Sequence, residues 1–416
     1  MEKLTCLDLF SGAGGLSEGF WETGKFDFLG HVEWEKPMVD TLRNNLVKRW
    51  GYSEEDAQKS VIQFDVQKTD ELFGGKWTAE TIKEYGENNS EEIIKNGLDG
   101  LVRNRKVDVI IGGPPCQAYS IAGRAQDPNS MKDDYRNYLF ESFVKIVNHY
   151  RPKVFVFENV PGMLSACPGD TLVINRICKA FDEIGYQIRL PEEMHKSIYC
   201  ASDFGVPQDR RRVIIFGVDK NQPVGVEDFY QALDAKKSND PPKTVRDAIG
   251  NLPKFRELEE PYKKGNKNVS HELIGDVKVP QHEARYHNKR DIEVFRRWIT
   301  NNMNNLPNAE KLEFYKQVSG KISNHNKYRS LEWDKPSPTI VSHLQKDGLM
   351  FIHPDVEQVR SITVREAAML QSFPMDYEFL GSNAYCFKMI GNAVPVLFAK
   401  GIAEAVYSVL EGNNKE

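Results

Sequence analysis

The first half of the chain alternates short apolar runs with amphipathic stretches. Uninterrupted runs rich in β-branched and aromatic residues predict buried strands at 4–10, 28–33, 61–65, 107–112 and 154–158. Between them, apolar residues spaced three and four positions apart predict helices at 16–23, 36–47 and 138–150. Strands that alternate with helices in this order predict an α/β fold. We expect a Rossmann-like, doubly wound and mostly parallel sheet that binds ligands at the carboxyl ends of its strands.

This regular alternation ends near Val218. Prolines at positions 241, 242, 253 and 261 interrupt the pattern, and regular apolar spacing returns only around 361–370. We therefore predict a large first domain over 1–218 that residues 389–416 complete, a small second domain over 219–362, and a hinge over 363–388. The polar stretch 67–105 is interpreted as a surface insertion between two strands, with no function assigned.

The composition is that of an ordinary globular protein. Of 416 residues, 40% are hydrophobic and 28% are charged, and no apolar run approaches the roughly 20 residues of a membrane span. The strand-like start has neither the basic residues nor the cleavage pattern of a secretory signal. Six cysteines without a CxxC pair indicate neither a zinc site nor a disulfide framework, so no metal is expected. These features predict a cytoplasmic protein with reduced thiols.

Charge is distributed unevenly along the chain. The net charge of −5 argues by itself against a nucleic-acid partner, because phosphate binding usually requires an excess of basic residues. Residues 220–330, however, contain 21 basic against 15 acidic residues, a net charge of +6, which leaves −11 for the remainder. A basic segment in an acidic body is compatible with nucleic-acid binding, although chance variation of solvated charge explains an excess of this size equally well.

Three features at the ends of the first strands favour an adenosine-containing cofactor. The segment 8–15, with the sequence DLFSGAGG, follows the first strand and opens the first helix, so its glycines permit a tight turn close to a ligand. Glu33 ends the second strand, where a carboxylate can accept hydrogen bonds from ribose hydroxyls, and Asp65 after the third can meet an adenine amino group. Trp34 can stack on adenine. A structural glycine turn and a core tryptophan are the alternatives.

Cys116 lies where the fourth predicted strand ends, in the segment 112–120 with the sequence GGPPCQAYS. The Pro-Pro turn holds this cysteine at the mouth of the sheet, although a lone cysteine is more often a small packing residue. A thiolate suits one demanding reaction, because it adds to carbon 6 of a pyrimidine ring and thereby makes carbon 5 nucleophilic enough to accept a methyl group. We therefore expect Cys116 to be a nucleophile.

Two further groups supply what that reaction needs. Glu158 ends the fifth predicted strand, where its carboxyl group can protonate ring nitrogen 3 and bind the exocyclic amine; for this role it must carry a proton. The segment 208–212, with the sequence QDRRR, precedes a further strand at 213–218 and can bind the base oxygen and neighbouring phosphates. An arginine-rich surface turn is the alternative for this segment.

Together these motifs resemble those of the cytosine-5 DNA methyltransferases. The runs DLFSGAGG, GGPPCQ, ENV at 158–160 and QxRxR at 208–212 occur in that family's order, followed by RSL at 329–331, PTI at 338–340, REAA at 365–368, QSFP at 371–374 and GNAVP at 391–395. The resemblance spans residues 4 to about 405, without 67–105 and most of 220–328. Ala118 and Tyr119 replace a Gly-Phe pair that is frequent in the family, and Cys200 replaces an Asn. Neither change removes a catalytic group.

The resemblance implies roles for individual residues. The catalytic residues would be Cys116 as nucleophile, Glu158 as acid, and Arg210 and Arg212 as base-anchoring arginines. The cofactor would be S-adenosylmethionine, and the residues that line its pocket would be Phe10, Gly12, Gly14, Glu33, Trp34, Asp65, Leu139 and Asn392. The residues that contact the substrate would be Pro115, Gln117, Ser120, Asn159 and Gln208.

The resemblance also implies a substrate and a biological setting. A cytosine flipped out of double-stranded DNA would enter the pocket beneath a mobile loop at 117–134, and residues 220–330 of a small target-recognition domain would read one sequence in the major groove. We expect a monomeric prokaryotic enzyme that protects DNA from a partner restriction endonuclease. A tRNA methyltransferase is less favoured because the Cys-Phe-Thr segment of that branch is absent. A catalytically inactive DNA-binding protein is less favoured because Cys116, Glu158 and Arg212 are all present.

Overall fold

The computed structural model describes residues 2–114, 139–167 and 171–412. The chain forms two compact units, each built from separate stretches of sequence. Unit 1 comprises Met1–Phe204, Arg211–Asn239 and Ala393–Glu416, and unit 2 comprises Gly205–Arg210 and Asp240–Asn392. The main part of unit 2 therefore begins at Asp240 rather than at 219, and it includes the segment 363–388. The roles assigned to the predicted domains and hinge stay predictions.

Unit 1 is built around an eight-stranded sheet. Its strands are β1 (Leu4–Leu9), β2 (Phe26–Glu33), β3 (Val61–Gln63), β4 (Val109–Gly112), β5 (Val154–Asn159), β6 (Tyr186–Ile188), β7 (Ile198–Cys200) and β9 (Arg211–Asp219). They follow the order β3-β2-β1-β4-β5-β9-β6, with β7 also paired to β9. The first five strands of this order are parallel, and β9 runs antiparallel to its partners. The predicted α/β fold with a mostly parallel sheet is confirmed.

Helices connect these strands, and the five predicted strands appear within two residues of their expected positions. The helices of unit 1 are α1 (Gly15–Trp21), α2 (Lys36–Lys48), α3 (Glu54–Ser60), α4 (Thr69–Gly74), α5 (Ala79–Tyr85), α6 (Glu91–Val102), α7 (Leu139–Tyr150), α8 (Val173–Glu183), α9 (Val226–Asp234) and α15 (Val396–Gly412). The central strands are buried almost throughout, because their apolar runs face helices instead of water.

Helix α15 packs against α1, which lies nearly 380 positions earlier in the chain. The two backbones approach so closely that a Cβ atom at Gly19 would lie 2.4 Å from the Cβ of Ala399. Lys400 Nζ also lies 3.3 Å from a carboxylate oxygen of Glu22. Unit 1 is therefore completed by a helix that follows all of unit 2 in the sequence.

The stretch 67–105 is not the surface insertion that its polarity suggests. It forms α4, α5 and α6, and its apolar side chains belong to the same buried core as Leu7 and Leu9 of β1. These side chains include Leu72, Trp77, Tyr85, Ile93 and Leu98. The prediction was wrong because these residues are spread among polar ones over three short helices, so no continuous periodicity is visible.

Asn89, between α5 and α6, closes the outer edge of β3. Its Oδ1 accepts a hydrogen bond from Gln63 N at 3.0 Å, and its Nδ2 donates to Gln63 O at 2.9 Å. The side-chain amide thus takes the place of a neighbouring strand, and the backbone groups of this buried edge are satisfied.

Unit 2 has a smaller core and little sheet. Its elements are the strands β8 (Gln208–Asp209), β10 (Phe255–Lys264), β11 (Lys267–Leu273) and β12 (Ser337–Pro338), with the helices α10 (Val245–Ile249), α11 (Lys289–Thr300), α12 (Asn308–Ser319), α13 (Val364–Leu370) and α14 (Asn383–Asn392). Strands β10 and β11 form an antiparallel hairpin, and β8 pairs with β12. One cluster of the unit 2 core packs Phe295, Trp298, Tyr328 and Ile352 together.

One stretch, Asn383–Gly412, is long and apolar enough to cross a membrane by length and composition alone. A break at residues 393–395 divides it into α14 and α15, and 67% of its most apolar window is buried inside the protein. Burial of this kind is a property of core helices, so the stretch is weak evidence for a membrane span.

Candidate active site

Glu158 lies at the carboxyl end of β5, next to the end of β4. Parallel pairing places Gly112 opposite Phe157, so the backbone that leaves β4 runs beside the Glu158 side chain. A Cβ atom at Gly113 would lie 3.1 Å from Glu158 Oε2, which is tighter than most side-chain contacts. Glycine at this position therefore leaves room for the carboxyl group. The carboxyl group itself is largely buried.

Arg212 is the partner of Glu158 in unit 1. Strand β9 runs antiparallel to β5 and places Arg212 close to the end of that strand. The Nε atom of Arg212 lies 2.8 Å from Glu158 Oε1, and the two side chains are 12% and 11% exposed. Burial lowers the pKa of the Arg212 guanidinium, an effect that the neighbouring Glu158 carboxylate opposes. The structure thus brings together two of the predicted site residues, Glu158 and Arg212, and their catalytic roles stay predictions.

Asn159 holds the turn that follows β4. Its Nδ2 donates to Pro114 O at 3.4 Å, and its Oδ1 accepts from Val160 N at 2.7 Å. The asparagine therefore ties the end of β5 to the start of the segment that contains Cys116. The predicted site residues Pro115, Cys116, Gln117 and Ser120 lie outside the residues that the structure describes, as does the whole of the predicted loop at 117–134.

The loop after β1 has the backbone that its glycines suggest. Phe10, Gly12 and Gly14 have φ angles of 56°, 56° and 85°, in the left-handed region that favours glycine. A Cβ atom at Gly12 would meet nothing within 4 Å, so this side of the loop borders open space. The loop is thus free to receive a ligand against its backbone.

The Glu33 carboxylate fastens this loop to the end of β2. Its Oε2 accepts from Gly12 N at 2.8 Å, and its Oε1 accepts from Trp34 N and Glu35 N, both at 2.8 Å. Burial raises the pKa of Glu33, and the three backbone N–H groups lower it in part. An ionised carboxylate offers about four lone pairs, so Glu33 can accept about one more hydrogen bond, as from a ribose hydroxyl.

Asp8 is a site residue that the sequence reasoning missed. It ends the buried part of β1, where the Ser17 hydroxyl donates to its Oδ2, and no hydrogen-bond partner for Oδ1 occurs within the part of the chain that the structure describes. Burial raises the pKa of Asp8 to about 7, with a further contribution from Glu33, against the hydrogen bonds from Ser17 and Ser11. A carboxylate among apolar residues of a predicted strand was the available signal.

The remaining predicted cofactor residues occupy three kinds of position. Trp34 follows β2 with 51% of its surface exposed, so its ring can serve as a stacking face. Asp65 is half-buried after β3 and accepts from Gln67 N at 3.0 Å. Leu139 begins α7 and is buried in the main core. Asn392 is exposed at the end of α14, in unit 2.

Gln208 and Arg210 are buried in unit 2, where their side chains bind backbone and amide groups. Arg210 donates from Nη1 to Ile340 O at 3.0 Å and from Nη2 to Gly391 O at 3.1 Å. Gln208 donates from Nε2 to Leu370 O and accepts from Ile340 N. Both side chains therefore join segments of unit 2 that are distant in sequence, and their roles at the base stay predictions. Across the described ranges, no three His, Cys, Asp or Glu residues form a metal-binding group.

Comparison with known proteins identifies the family. The family described as C-5 cytosine-specific DNA methylase matches residues 4–408. A type II methyltransferase of Bacillus paralicheniformis, M.Bpa9945I, is 35% identical over 454 residues, which cover 98% of this chain and 99% of the relative. A type II methyltransferase of Haemophilus parahaemolyticus, M1.HphI, is 33% identical, and the match covers 97% of this chain and 87% of the relative.

A solved structure from E. coli has the same fold. That protein is provisionally described as a DNA modification methyltransferase encoded within a prophage. The two structures superpose with a TM-score of 0.60 at 25% sequence identity, over 98% of this chain and 100% of the other. The match over nearly the whole length of these proteins, together with the Glu158–Arg212 pair at the edge of a parallel sheet, shows that the chain belongs to the C-5 cytosine-specific DNA methylase family and is a methyltransferase that acts on DNA cytosine.

Proposed function

We propose that this enzyme flips a cytosine out of duplex DNA and methylates its carbon 5, with Cys116 as nucleophile and Glu158 as acid. The observation that carries the proposal is the half-satisfied Glu158 carboxyl group at the end of β5. It faces Gly113, three residues before Cys116, and among the described residues its ion-pair partner is Arg212. An acid and a nucleophile on neighbouring strand ends can act on the same ring.

The chemistry begins at carbon 6 of the cytosine. The Cys116 thiolate forms a bond to carbon 6 while Glu158 gives a proton to nitrogen 3, so the ring accepts the electron pair without building up negative charge. Carbon 5 then has enamine character and takes the methyl group. Loss of the carbon 5 proton to water then expels the thiolate, and nitrogen 3 returns its proton to Glu158, which restores the aromatic ring and leaves neutral 5-methylcytosine. Each bond that Cys116 forms is broken again, so the enzyme is regenerated.

Arg212 supports Glu158 in this scheme. Its guanidinium stabilises the carboxylate that remains after the proton has moved to the base, because an ion pair in a buried site is strong. Arg212 also donates from Nη1 to Arg211 O at 2.7 Å, which fixes the direction of the side chain. Asn159 donates to Pro114 O, two residues before Cys116, and is proposed to contact the substrate. Gln208 and Arg210 are proposed to support the same base-binding region.

The methyl donor is proposed to be S-adenosylmethionine, whose sulfonium supplies an activated methyl group. The chain's contribution is a binding site along the strand ends. Glu33 has one acceptor position left for a ribose hydroxyl, Trp34 offers an exposed ring, and the loop of Phe10, Gly12 and Gly14 lies beside open space. Asp65, Leu139 and Asn392 complete the proposed set.

The biological setting follows from the relatives. Both are type II methyltransferases, a class that belongs to restriction-modification systems. We propose that this enzyme acts as a monomer in the cytoplasm on double-stranded DNA, and that it protects one target sequence from a partner restriction endonuclease. Pro115, Gln117 and Ser120 would contact the flipped base, the loop at 117–134 would close over it, and residues 220–330 would read the target.

The test is bisulfite sequencing of DNA from a host that expresses the chain. We expect protected cytosines at one recurring sequence, and a tritiated-methyl assay should show that S-adenosylmethionine is the donor. The Cys116→Ala variant should lose methyl transfer and still bind the donor, with Cys167→Ala, an exposed cysteine distant in sequence, as the matched control. Methylation by Cys116→Ala at the wild-type rate would refute the mechanism.

A further inference from the structure

About half of the exposed basic side chains of unit 2 have an acidic partner. Arginines and lysines lie within ion-pair distance of a carboxylate in the pairs Arg246–Asp334, Lys254–Asp355, Arg256–Glu272, Lys289–Glu260, Arg296–Glu257 and Lys335–Glu332. Such cations are neutralised locally and contribute little to attraction of a polyanion. The charge that remains available to a partner must therefore come from basic residues outside these pairs.

Two short segments of unit 2 each carry three such residues. Lys263, Lys264 and Lys267 lie at the tip of the β10–β11 hairpin, residues 262–268, which we call the hairpin tip. Lys321, Lys327 and Arg329 lie in the loop that follows α12, residues 321–329, which we call the reading loop. All six are exposed, and none has a carboxylate within ion-pair distance among the described residues. Uncompensated positive charge is thus concentrated in two places.

The hairpin tip has the chemistry of a phosphate contact. Antiparallel register places Lys264 directly opposite Lys267, and Tyr262, which is 50% exposed, projects from the same face of its strand. Like charges opposite each other destabilise a hairpin, so this arrangement is costly unless an anion lies between them. A two-residue turn with Gly265 at φ 60° keeps the strands close. Lysine ammonium groups are point charges, which bind phosphate without distinguishing sequence.

The reading loop presents a different set of side chains. Asn324 and His325 are exposed and can donate and accept hydrogen bonds, and Ile322 is 84% exposed, the largest value among the exposed large apolar residues that the structure describes. Amide and imidazole groups match the edges of bases in the major groove, and an apolar side chain matches the methyl group of thymine. An isoleucine this exposed has no partner within unit 2 that would explain it.

The backbone of the reading loop is anchored at both of its ends. Gly320, with φ 69°, ends α12, and the Ser323 hydroxyl bonds to His325. Tyr328 is buried in the core, where its ring lies 5.6 Å from the ring of Trp298, and Arg329 N donates to Leu349 O at 3.0 Å. A loop held in this way presents its side chains in a fixed order, which sequence reading requires.

We propose that the two segments divide the work of DNA binding: the hairpin tip grips phosphates, and the reading loop selects the sequence through Ile322, Asn324 and His325. The inference rests on the proposed function, because it takes duplex DNA as the substrate. Each segment then has its own signature. Loss of a phosphate contact weakens binding to all sequences and flattens its salt dependence, whereas loss of a base contact relaxes the choice of sequence.

The hairpin tip is tested with the full-length double variant Lys264→Gln/Lys267→Gln. The probe is a fluorescent duplex that carries the site found by bisulfite sequencing, together with a scrambled duplex. Removal of two phosphate contacts should reduce the magnitude of the slope of log affinity against log salt concentration by about 2. Between 50 and 200 mM salt, the loss of affinity should therefore be about tenfold smaller for the variant than for the wild type. The methylated sequence should be unchanged. An unchanged slope, or a new methylated sequence, would overturn the assignment.

The reading loop is tested with Ile322→Ala, Asn324→Ala and His325→Ala. Methylation of a duplex library with randomised positions should show that at least one variant discriminates roughly 5- to 150-fold less at one base position, with the salt slope unchanged. Three variants with the wild-type sequence preference would refute this role. Binding to single-stranded RNA or to a protein in place of duplex DNA would refute it as well.

A matched control separates this inference from the proposed function. Lys335→Gln removes the same charge from a lysine that Glu332 already neutralises, so its slope and sequence preference should match the wild type. A wild-type chain that methylates no cytosine contradicts the proposed function, whatever the variants do. Suppose instead that the wild type methylates one sequence, but the hairpin-tip and reading-loop variants have the same salt slope and the same sequence preference as each other. That result contradicts only the division of work between the two segments.

Discussion

Two buried arginine–glutamate pairs, Arg212–Glu158 in unit 1 and Arg360–Glu366 in unit 2, differ in how fully the carboxylate is satisfied. In unit 2, Glu366 accepts from Nη1 and Nη2 of Arg360, both at 2.7 Å, and from Thr363 N at 2.7 Å. In unit 1, within the part of the chain that the structure describes, Glu158 meets Arg212 through Nε, at 2.8 Å. Saturated pairs stabilise a fold, whereas a buried carboxyl group with acceptor positions left over can serve a ligand.

The pKa shifts in the two pairs differ in the same way as their hydrogen bonds. Burial raises the pKa of Glu366, but the Arg360 guanidinium more than compensates and holds it well below its usual range. The carboxylate of unit 2 is therefore locked in its ionised form. In unit 1 burial lowers the pKa of Arg212 instead, which is the sign of a cation that a single contact only partly compensates.

The variant Glu158→Gln tests most directly whether the two pairs differ in role. Glutamine keeps the shape and can still accept from Arg212, but it cannot give a proton to the base, so we expect methyl transfer to slow by about 10²- to 10⁴-fold. The free energy of unfolding should fall less than in Glu366→Ala, because glutamine still accepts a hydrogen bond from Arg212. Tritiated-methyl transfer and urea unfolding measure the two quantities. A variant with wild-type turnover would show that Glu158, like Glu366, is structural.

The opposite result is expected for Glu366→Ala. It leaves Arg360 buried without a counter-charge, which should cost about 3–5 kcal/mol of unfolding free energy. Urea unfolding followed by circular dichroism measures this loss. The matched control is Glu272→Ala, which removes the partner of the exposed Arg256 and should cost at most about 1 kcal/mol. Equal losses in the two variants would contradict the structural role of the buried pair.

Unit 2 should also respond to acid through His353, which lies 3.5 Å from Glu366. Burial, together with Arg360, lowers the pKa of His353 from 6.5 to about 3, so the unfolded chain takes up the proton first as the pH falls. Stability that is complete above pH 6.5 is therefore lost progressively below it. Between pH 7 and pH 5.5, wild type should lose about 1 kcal/mol more than His353→Gln in urea unfolding. Equal losses would exclude this histidine.

The smallest expected effect concerns the space around Glu158. Gly113→Ala places a methyl group 3.1 Å from Glu158 Oε2, so the carboxyl group must shift by a few tenths of an ångström. We expect methyl transfer to fall about fivefold, since catalytic groups tolerate little displacement. Gly74→Ala is the control, because a Cβ there meets nothing within 4 Å. A wild-type rate for Gly113→Ala would show that Glu158 needs no such room.

The sheet could be predicted from sequence because its signals are local. Each central strand is a continuous apolar run that ends in a polar residue, as β5 does at Glu158, and parallel topology brings these ends to one edge. The Glu158–Arg212 pair was therefore foreseeable in outline. Asp8 was missed because its environment depends on burial by residues distant in sequence.

The contacts of Arg210 could not be predicted from the sequence around it. The QxRxR spacing treats Arg210 and Arg212 alike, but Arg210 binds the carbonyls of Ile340 and Gly391, which lie 130 and 181 positions further on. The neighbouring residues contain no pattern that predicts these hydrogen-bond partners. The prediction for the stretch 67–105 was wrong for a related reason. Its helices are too short to show a hydrophobic periodicity, and its apolar residues become part of the core only when unit 1 is folded.

The contact between α1 and α15 bears on how the enzyme is made. During synthesis at about 5–20 residues per second, the surface of α1 that meets Ala399 waits on the order of 20–80 s for its partner. Until α15 emerges from the ribosome, the core that α1 forms with it is incomplete. A nascent chain that lacks α15 should therefore be a target for chaperones and inactive as a methylase, and activity should appear only after α15 has packed against α1.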